Sequence, residues 1–175
     1  DIRWKNENII QKQEGIIVGA DQGFKDILTL SNKSTTPKTD VHGHSLESII
    51  DKLSRKQKGS KAFKKAQDHR TNFVNWSINQ LNFDNIKQIN LEKIWNINYK
   101  SNTSRKLKHW TNTTIVDKIE SRCIGEGVLL KHQNSSYRSQ RCSGCGIVLK
   151  QNRKGKEYTC SKCGCIIDAD FNAAL

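Results

Sequence analysis

The chain has 175 residues, of which 34% are hydrophobic, and this suits one domain of ordinary size or one domain with a small inserted module. Thirty Lys and Arg residues against 17 Asp and Glu residues give a formal net charge of +13, which points to a polyanionic partner, nucleic acid first, over a basic surface that only meets solvent. A membrane-spanning protein is excluded because no apolar run approaches the ~18 residues that a span needs, and we expect no membrane partner.

The first predicted elements form a β-hairpin. Residues 15–21 read as a buried strand that ends in Asp21, residues 22–25 as a turn, and residues 26–31 as a second strand with period-two alternation. The hairpin places the acid at its turn. An Asp in that position is also a common turn former, so Asp21 alone is weak evidence of a functional site.

A helical segment follows a loop that contains His42 and His44. Those two histidines could bind a metal ion, but a solvated loop is the favoured interpretation. Ser45 is a good helix N-cap, and apolar side chains then recur at helical spacing. We expect one long helix over residues 45–82, or two helices with a break near Gly59 and Ser60.

The densest basic run of the chain lies in this helical segment. A solvated helix face is the usual explanation of such a run, but here the excess charge has one sign, which favours contacts with phosphates. The predicted nucleic-acid contacts are Lys52, Arg55, Lys56, Lys58, Lys61, Lys64, Lys65 and Arg70.

A third strand, a helix and a short fourth strand are predicted next. Residues 85–92 alternate apolar and polar side chains and end in Glu92. Apolar residues at helical spacing up to Cys123 mark the helix, in which this cysteine is expected to be a core residue and not a nucleophile. Residues 128–130 read as the fourth strand.

Two Cys-x-x-Cys pairs, about 14 residues apart, then have the spacing of a tetrahedral four-thiolate zinc site. Four thiolates leave no open position, so one structural zinc ion is predicted. The same spacing favours Cys163 over Cys165 as a ligand. Paired thiols of this kind fit a reducing compartment, so we expect a cytoplasmic or nucleoid-associated protein. The predicted zinc ligands are Cys142, Cys145, Cys160 and Cys163.

Asp170 opens a final helix shortly after the last cysteine pair, and the neighbouring Asp168 leaves open which carboxylate points inward. Separately, Glu92 could pair with a lysine, and Asp170 could be a charge that favours the helix dipole. If the fold brings both acids to Asp21, the three carboxylates could hold two Mg²⁺ or Mn²⁺ ions, because these hard cations prefer oxygen ligands.

The element order predicts an α/β domain with a mixed sheet, flanking helices and a small metal module inserted late. The predicted boundaries are an extension or linker over residues 1–14, a sheet domain over residues 15–136 and 167–175, and a zinc ribbon over residues 137–166. The chain begins with Asp1, contains no Met and ends at Leu175 within a predicted helix, so we expect a piece of a longer protein.

Five segments, in this order, resemble motifs of the RuvC-like nuclease domain in TnpB proteins of insertion sequences and their Cas12 relatives. They are residues 17–23, 53–61, 89–94, 139–146 and 168–174. The resemblance implies an RNase H-like fold with an inserted zinc ribbon. It also implies a DNA endonuclease that hydrolyses phosphodiester bonds with two Mg²⁺ or Mn²⁺ ions, with Asp21, Glu92 and Asp170 as catalytic residues.

The resemblance also sets the alternatives. Family members carry an N-terminal half that grips guide RNA and opens the target duplex, and this chain has at most 14 residues there. We therefore expect the nuclease part of an RNA-guided enzyme. A stand-alone junction-resolving nuclease, which would work as a dimer, is the second hypothesis, and a non-catalytic zinc-ribbon DNA-binding repressor is the third. The presence of all three acids favours activity.

Overall fold

Four strands form a mixed sheet at the centre of the fold. β1 (Ile16–Gln22) pairs antiparallel with β2 (Leu28–Leu30) and parallel with β3 (Ile86–Lys93), which in turn pairs parallel with β4 (Leu129–Asn134). The strand order is therefore β2-β1-β3-β4. This computed structural model describes residues 10–23, 25–93, 112–134 and 137–175, so most of the predicted N-terminal extension lies outside the described residues.

The predicted helical segment is two helices, α1 (Leu46–Ser54) and α2 (Lys61–Asn79). Ser45 and Ser60 cap their N-termini, each accepting a hydrogen bond from a backbone N–H three residues on. Gly59, with φ +86°, makes the turn between the helices, so the predicted break is confirmed. In the described part of the chain, no helix is both long enough and apolar enough to cross a bilayer.

A third helix, α3 (Asn112–Gly125), precedes β4, and parallel pairing of β3 with β4 requires such a crossover. β4 continues beyond the predicted residues 128–130 because its polar last residues still pair with β3, at an edge of the sheet that solvent reaches. The predicted end of the first strand was also wrong by one position. Asp21 pairs with Thr29 inside the strand ladder and does not lie at the turn.

The helices and the sheet enclose one hydrophobic core. Its buried strand and helix members come from β1, β2, β3, α1, α2 and α3, and Leu130 of β4 packs against them. Fully burying such a side chain stabilises the fold by roughly 1.5–3 kcal/mol. Cys123 is 1% exposed within this core, as predicted, and burial raises the pKa of its thiol to about 12. Representative core residues are Val18, Leu30, Ile50, Val74, Ile78, Ile89 and Ile119.

A second, three-stranded antiparallel sheet forms near the C-terminus from β5 (Arg153–Lys154), β6 (Glu157–Thr159) and β7 (Ile166–Asp168). Its own small core centres on Tyr158, which is fully buried and donates a hydrogen bond to the backbone oxygen of Gln140. β7 runs directly into the short helix α4 (Ala169–Ala174). The metal module and the final helix are therefore one continuous piece of structure.

Candidate active site

Asp21 and Glu92 lie side by side on the two central parallel strands. The register pairs Ala20 with Leu91, so the next residue of each strand is one of the two acids. Their carboxyl groups are hydrogen-bonded to each other. The backbone N–H of Gln22 donates to Glu92 Oε1 over 3.1 Å, which fixes the orientation of the second acid.

Asp170 joins them from α4, and Asp168 has a different role. Asp168 is exposed and caps α4, with its Oδ1 accepting from the backbone N–H groups of Asp170 and Phe171 at 3.0 and 2.9 Å. Asp170 is 8% exposed and points into the structure. The ambiguity between the two carboxylates is thus resolved, because the cap orients the helix that buries Asp170.

Close packing of α4 on β1 brings the third acid to the sheet. A Cβ atom on Gly19 would lie only 1.8 Å from the backbone oxygen of Ala174, so glycine is required at this crossing. Arg138 holds the other side of the contact, because its guanidinium donates to the backbone oxygen of Ala173 at 2.7 and 3.1 Å. Both contacts fix α4 against the strand that carries Asp21.

The three acids share one electrostatic environment. Burial, the nearby charges of Glu92 and Asp170, and the hydrogen bond with Glu92 raise the pKa of Asp21 to about 8, against the opposing charge of Arg138. Burial also raises the pKa of Glu92, although the Gln22 N–H and Arg138 oppose the rise. Three acids that are far apart in the sequence therefore meet in the fold, with more negative charge than the site tolerates without a proton or a cation.

Two cations from the metal module already contact Asp170. Arg153 donates to Asp170 Oδ1 over 2.8 Å, and Lys156 donates to Asp170 Oδ2 and, over 2.6 Å, to Asp26 Oδ2. Burial would lower the pKa of Lys156, but the hydrogen bonds to the two aspartates raise it to about 12. Asp26, Arg153 and Lys156 could not be singled out from the sequence, because only the fold brings the β5–β6 hairpin to these acids.

The donor set of this site fits a hard divalent cation. Three carboxylates converge, and the side-chain oxygen of Gln22, next to Glu92, is buried and accepts no hydrogen bond among the described residues. Oxygen atoms of carboxylates and amides are the ligands that Mg²⁺ and Mn²⁺ prefer. Hard cations bound here would offset the charge of the acids, although the ligand atoms of all three carboxylates, unlike those of the cysteine cluster, do not lie within 4.8 Å of one another in the described structure.

The four predicted cysteines form a separate cluster that could hold a zinc ion. The sulfur atoms are 3.6 Å apart between Cys142 and Cys163 and 3.7 Å apart between Cys145 and Cys160. A tetrahedral site with Zn–S bonds of about 2.3 Å places its sulfurs ~3.8 Å apart, so little movement is needed. Cys165 is not part of the cluster.

The two cysteine pairs have the same local structure. In each, the first cysteine accepts a backbone hydrogen bond from a glycine in the left-handed region, Gly146 with φ +73° and Gly164 with φ +72°. The buried side chain of Asn172 then joins the first pair to α4, since it accepts from Ser143 N–H at 3.0 Å and donates to the Arg141 oxygen at 2.8 Å. The sequence did not single out Asn172, which forms this direct link between the cysteines and the helix of Asp170.

The predicted basic contacts extend over α1, α2 and the turn between them. Seven of the eight side chains are exposed and Arg70 is half-buried. Lys61, Lys64 and Lys65 lie in the first two turns of α2, after the turn that carries Arg55, Lys56 and Lys58. This surface is available to a polyanion, and its contact with nucleic acid stays a prediction.

Comparison with known proteins places these observations in a family context. The model of the Cas12f1-like TNB domain family matches residues 113–175. A CRISPR-associated endodeoxyribonuclease Cas12f1 of Sulfoacidibacillus thermotolerans is 36% identical over 87 residues, which are 49% of this chain and 20% of that protein. A TnpB-like protein of Aquifex aeolicus is 30% identical over 75 residues, 41% of this chain and 24% of that protein. The matched part is thus a small fraction of these relatives.

Solved structures of similar fold agree with the architecture. The Cas12f1–sgRNA–target DNA complex matches with a TM-score of 0.63 and 19% identity, over 91% of this chain and 48% of that protein. CasPhi-2 (Cas12j) bound to crRNA matches with a TM-score of 0.50 and 17% identity, over 66% of this chain and 21% of that protein. The expected α/β, RNase H-like fold is confirmed, and it contains a cysteine cluster that could hold zinc.

Proposed function

Because the chain is a member of the TnpB/Cas12 family, we propose that it is the catalytic part of a divalent-metal-dependent DNA endonuclease. The convergence of Asp21, Glu92 and Asp170 carries this proposal. Three acids on β1, β3 and α4, with the pKa of Asp21 raised by burial and then by the charges of the other two, form a typical environment for hard cations.

The proposed role of the three acids is to hold two Mg²⁺ or Mn²⁺ ions. Such a pair of ions, when bound, activates water and stabilises the leaving oxygen during phosphodiester hydrolysis. Gln22 fixes the position of Glu92 through its backbone N–H, and Asp168 fixes α4 so that Asp170 faces the sheet. These contacts would keep the carboxylates in place for both ions.

Arg153 and Lys156 bring positive charge to the same place. Both contact Asp170, and the Lys156 side chain is 46% exposed, so its ammonium group can be reached from solvent. We propose that these two side chains contact a phosphate of the substrate, since a phosphate would compete with Asp170 for their N–H groups. The metal module would then take part in substrate binding as well as in folding.

The cysteine cluster is proposed to hold one structural zinc ion. Four thiolates saturate a tetrahedral ion and leave no position for a substrate. We propose the zinc ribbon as residues 137–166 and the nuclease domain as residues 15–136 and 167–175. The ribbon would hold α4, and with it Asp170, through Asn172.

DNA is the proposed substrate, and a guide RNA is the proposed partner of the full-length protein. The solved Cas12f1 relative is a complex with sgRNA and target DNA, and a net charge of +13 suits two polyanionic partners. The exposed basic residues of α1 and α2 would line the path of the nucleic acid. We propose that the protein works in the cytoplasm or at the nucleoid, where both partners are available.

The deciding experiment is to express the full-length protein together with its genomic surroundings and to sequence any RNA that copurifies. We expect a discrete RNA and Mg²⁺-dependent cleavage of DNA complementary to part of it. Cleavage of branched DNA without RNA would instead establish a stand-alone junction-resolving nuclease. Salt-sensitive DNA binding with no cut product at any Mg²⁺ or Mn²⁺ concentration would refute the enzyme and favour a repressor.

A further inference from the structure

A second group of metal-ligating side chains lies outside the candidate active site and the cysteine cluster. Asp40, His44 and His69 each offer one ligand atom, and these atoms all lie within 4.8 Å of one another. His44 Nδ1 is 3.1 Å from Asp40 Oδ2, and the two imidazole rings meet edge to face with centroids 5.0 Å apart. All three residues are half-buried, so the group is partly shielded from water and still accessible to an ion.

The backbone holds the first two members in position. Asp40 Oδ1 accepts hydrogen bonds from the backbone N–H groups of His42 and His44, at 2.9 and 2.8 Å. The turn is closed by Gly43, whose N–H donates to the backbone oxygen of Asp40 over 3.0 Å and whose φ is +75°. One carboxylate oxygen is therefore fixed by the loop, and the other faces His44. His69 is fixed independently because it lies within α2.

We propose that Asp40, His44 and His69 bind one divalent transition-metal ion of the Zn²⁺ type. Two imidazoles and a carboxylate are borderline donors that suit zinc, and zinc ligand atoms at about 2.0–2.2 Å from the ion lie ~3.4 Å from one another. The present spacing therefore requires only a small convergence of the side chains. Three protein ligands leave one tetrahedral position for a water molecule.

A pocket next to the group provides space for a molecule bound at the open position of the ion. It has a volume of about 240 Å³ and is lined by Asp40 and His69 together with Phe73 and Trp76, so two of the three ligand residues border a mainly apolar hollow. A concave apolar site with a few convergent polar groups is typical of binding sites. His42, whose ring centroid is 6.1 Å from that of His44, lies outside the ligand group.

The simpler alternative is an Asp–His hydrogen bond without a metal ion. It explains the contact between Asp40 and His44, but it gives no role to the second imidazole that faces His44. The ion would connect the residue before the Ser45 cap of α1 to the middle of α2.

Metal content measured on the intact chain tests this site. After saturation with Zn²⁺ and removal of excess ion, the Asp40→Asn and His69→Gln variants should each retain about one zinc ion fewer per chain than the wild type. His132→Gln is the matched control, because His132 is an exposed residue of β4 outside the group, and it should retain the wild-type content. Equal zinc content in all four proteins would overturn the proposal.

Cobalt spectroscopy tests the same site through the chemistry of its ligands and not through a count of ions. The zinc-saturated protein is treated with Co²⁺ so that cobalt replaces part of the zinc at the histidine site while the cysteine cluster keeps its zinc. The bound cobalt should then produce visible d–d absorption without thiolate-to-cobalt charge-transfer bands. Cys160→Ser should keep this signal and His44→Gln should lose it. If every cobalt signal carries thiolate bands, the cysteine cluster is the only site for such ions and the proposal fails.

Discussion

Asp21 and Glu92 are adjacent across parallel strands and hydrogen-bonded through their carboxyl groups. The backbone N–H of Gln22, the residue after Asp21, also donates to Glu92, which lies 70 residues further along the chain. Glu92 is buried and Asp21 is half-buried, and two such acids in contact cannot both ionise without a compensating charge. Their pairing with Asp170 therefore gives the site its affinity for a proton or a cation, and the first two predictions follow from it.

The first prediction concerns cleavage. In the full-length protein, Asp21→Ala should reduce Mg²⁺-dependent DNA cleavage by more than about a hundredfold, beyond the loss typical of outer-shell residues around a metal. DNA binding should be nearly unchanged, because the basic surface of α1 and α2 is untouched. Asp117→Ala, at an exposed position of α3, is the matched control. Undiminished cleavage by the Asp21 variant would remove the acid from the proposed mechanism.

The second prediction concerns stability and pH in the absence of added Mg²⁺. The folded-state pKa of Asp21, about 8, lies above its ordinary value of 3.8, so the folded protein keeps a proton that the unfolded chain releases. Stability from this group is complete below pH ~4 and decreases as the pH rises to about 8. Asp21→Asn should remove the decrease and raise the free energy of unfolding at pH 8 by roughly 2 kcal/mol, after allowance for partial solvent exposure.

Urea denaturation of the wild type and of Asp21→Asn between pH 5 and pH 9 measures this effect. Addition of Mg²⁺ should stabilise the wild type at pH 8 more than it stabilises the variant. A wild-type protein whose stability rises over this range relative to Asp21→Asn would show that the acid is ionised without difficulty, and so lacks the predicted strain.

The third prediction concerns the link between the cysteine cluster and α4. Asn172→Ala would leave the Ser143 N–H and the Arg141 oxygen without their buried partner, at a cost of about 1–3 kcal/mol. Chemical denaturation should report this loss, and exposed Asn85→Ala should be neutral. Equal stability of the two variants would mean that the link contributes nothing.

The fourth prediction concerns zinc. Cys160→Ser should lose the zinc ion of the cysteine cluster and the protease resistance of residues 137–168, because structural zinc supplies much of the folding energy of a small ribbon. Cys165→Ser should keep both, since Cys165 lies beside the cluster without belonging to it. Elemental analysis with limited proteolysis distinguishes the two, and loss of zinc in the Cys165 variant would revise the ligand set.

The fifth prediction concerns Gly19. A Cβ atom there meets the Ala174 backbone oxygen at 1.8 Å, so Gly19→Ala should destabilise the protein by about 1–3 kcal/mol and displace α4 from β1. Gly125→Ala in α3 has open space and should stabilise the helix slightly. A thermal unfolding comparison suffices, and an unchanged melting temperature for Gly19→Ala would argue against the close crossing.

Much of this fold could be predicted from local pattern. A buried apolar run located β1, period-two alternation located β3, and the serine caps with the Gly59 turn located α1 and α2, because these signals depend only on neighbouring residues. The length of β4 could not be predicted, since its polar end is held by pairing with β3 and not by its own propensity.

Some features of the candidate site could likewise be predicted from local sequence, and others needed the tertiary fold. The cysteine spacing anticipated a tetrahedral cluster because the ligands of each pair are close in sequence. The choice between Asp168 and Asp170 needed the cap geometry of α4, and the contacts of Lys156 with Asp26 and Asp170 needed the tertiary fold. Contacts between residues distant in sequence leave no local signal, so they could not be read in advance.

The direct passage from β7 into α4 makes the third acid an extension of the cysteine module. We therefore expect cutting to fail in cells that are starved of zinc or exposed to oxidants, even though no group at the scissile bond would be chemically altered. Under such stress the proposed nuclease would still bind its target DNA but would not cut it, until the thiols are reduced and zinc binds to them again.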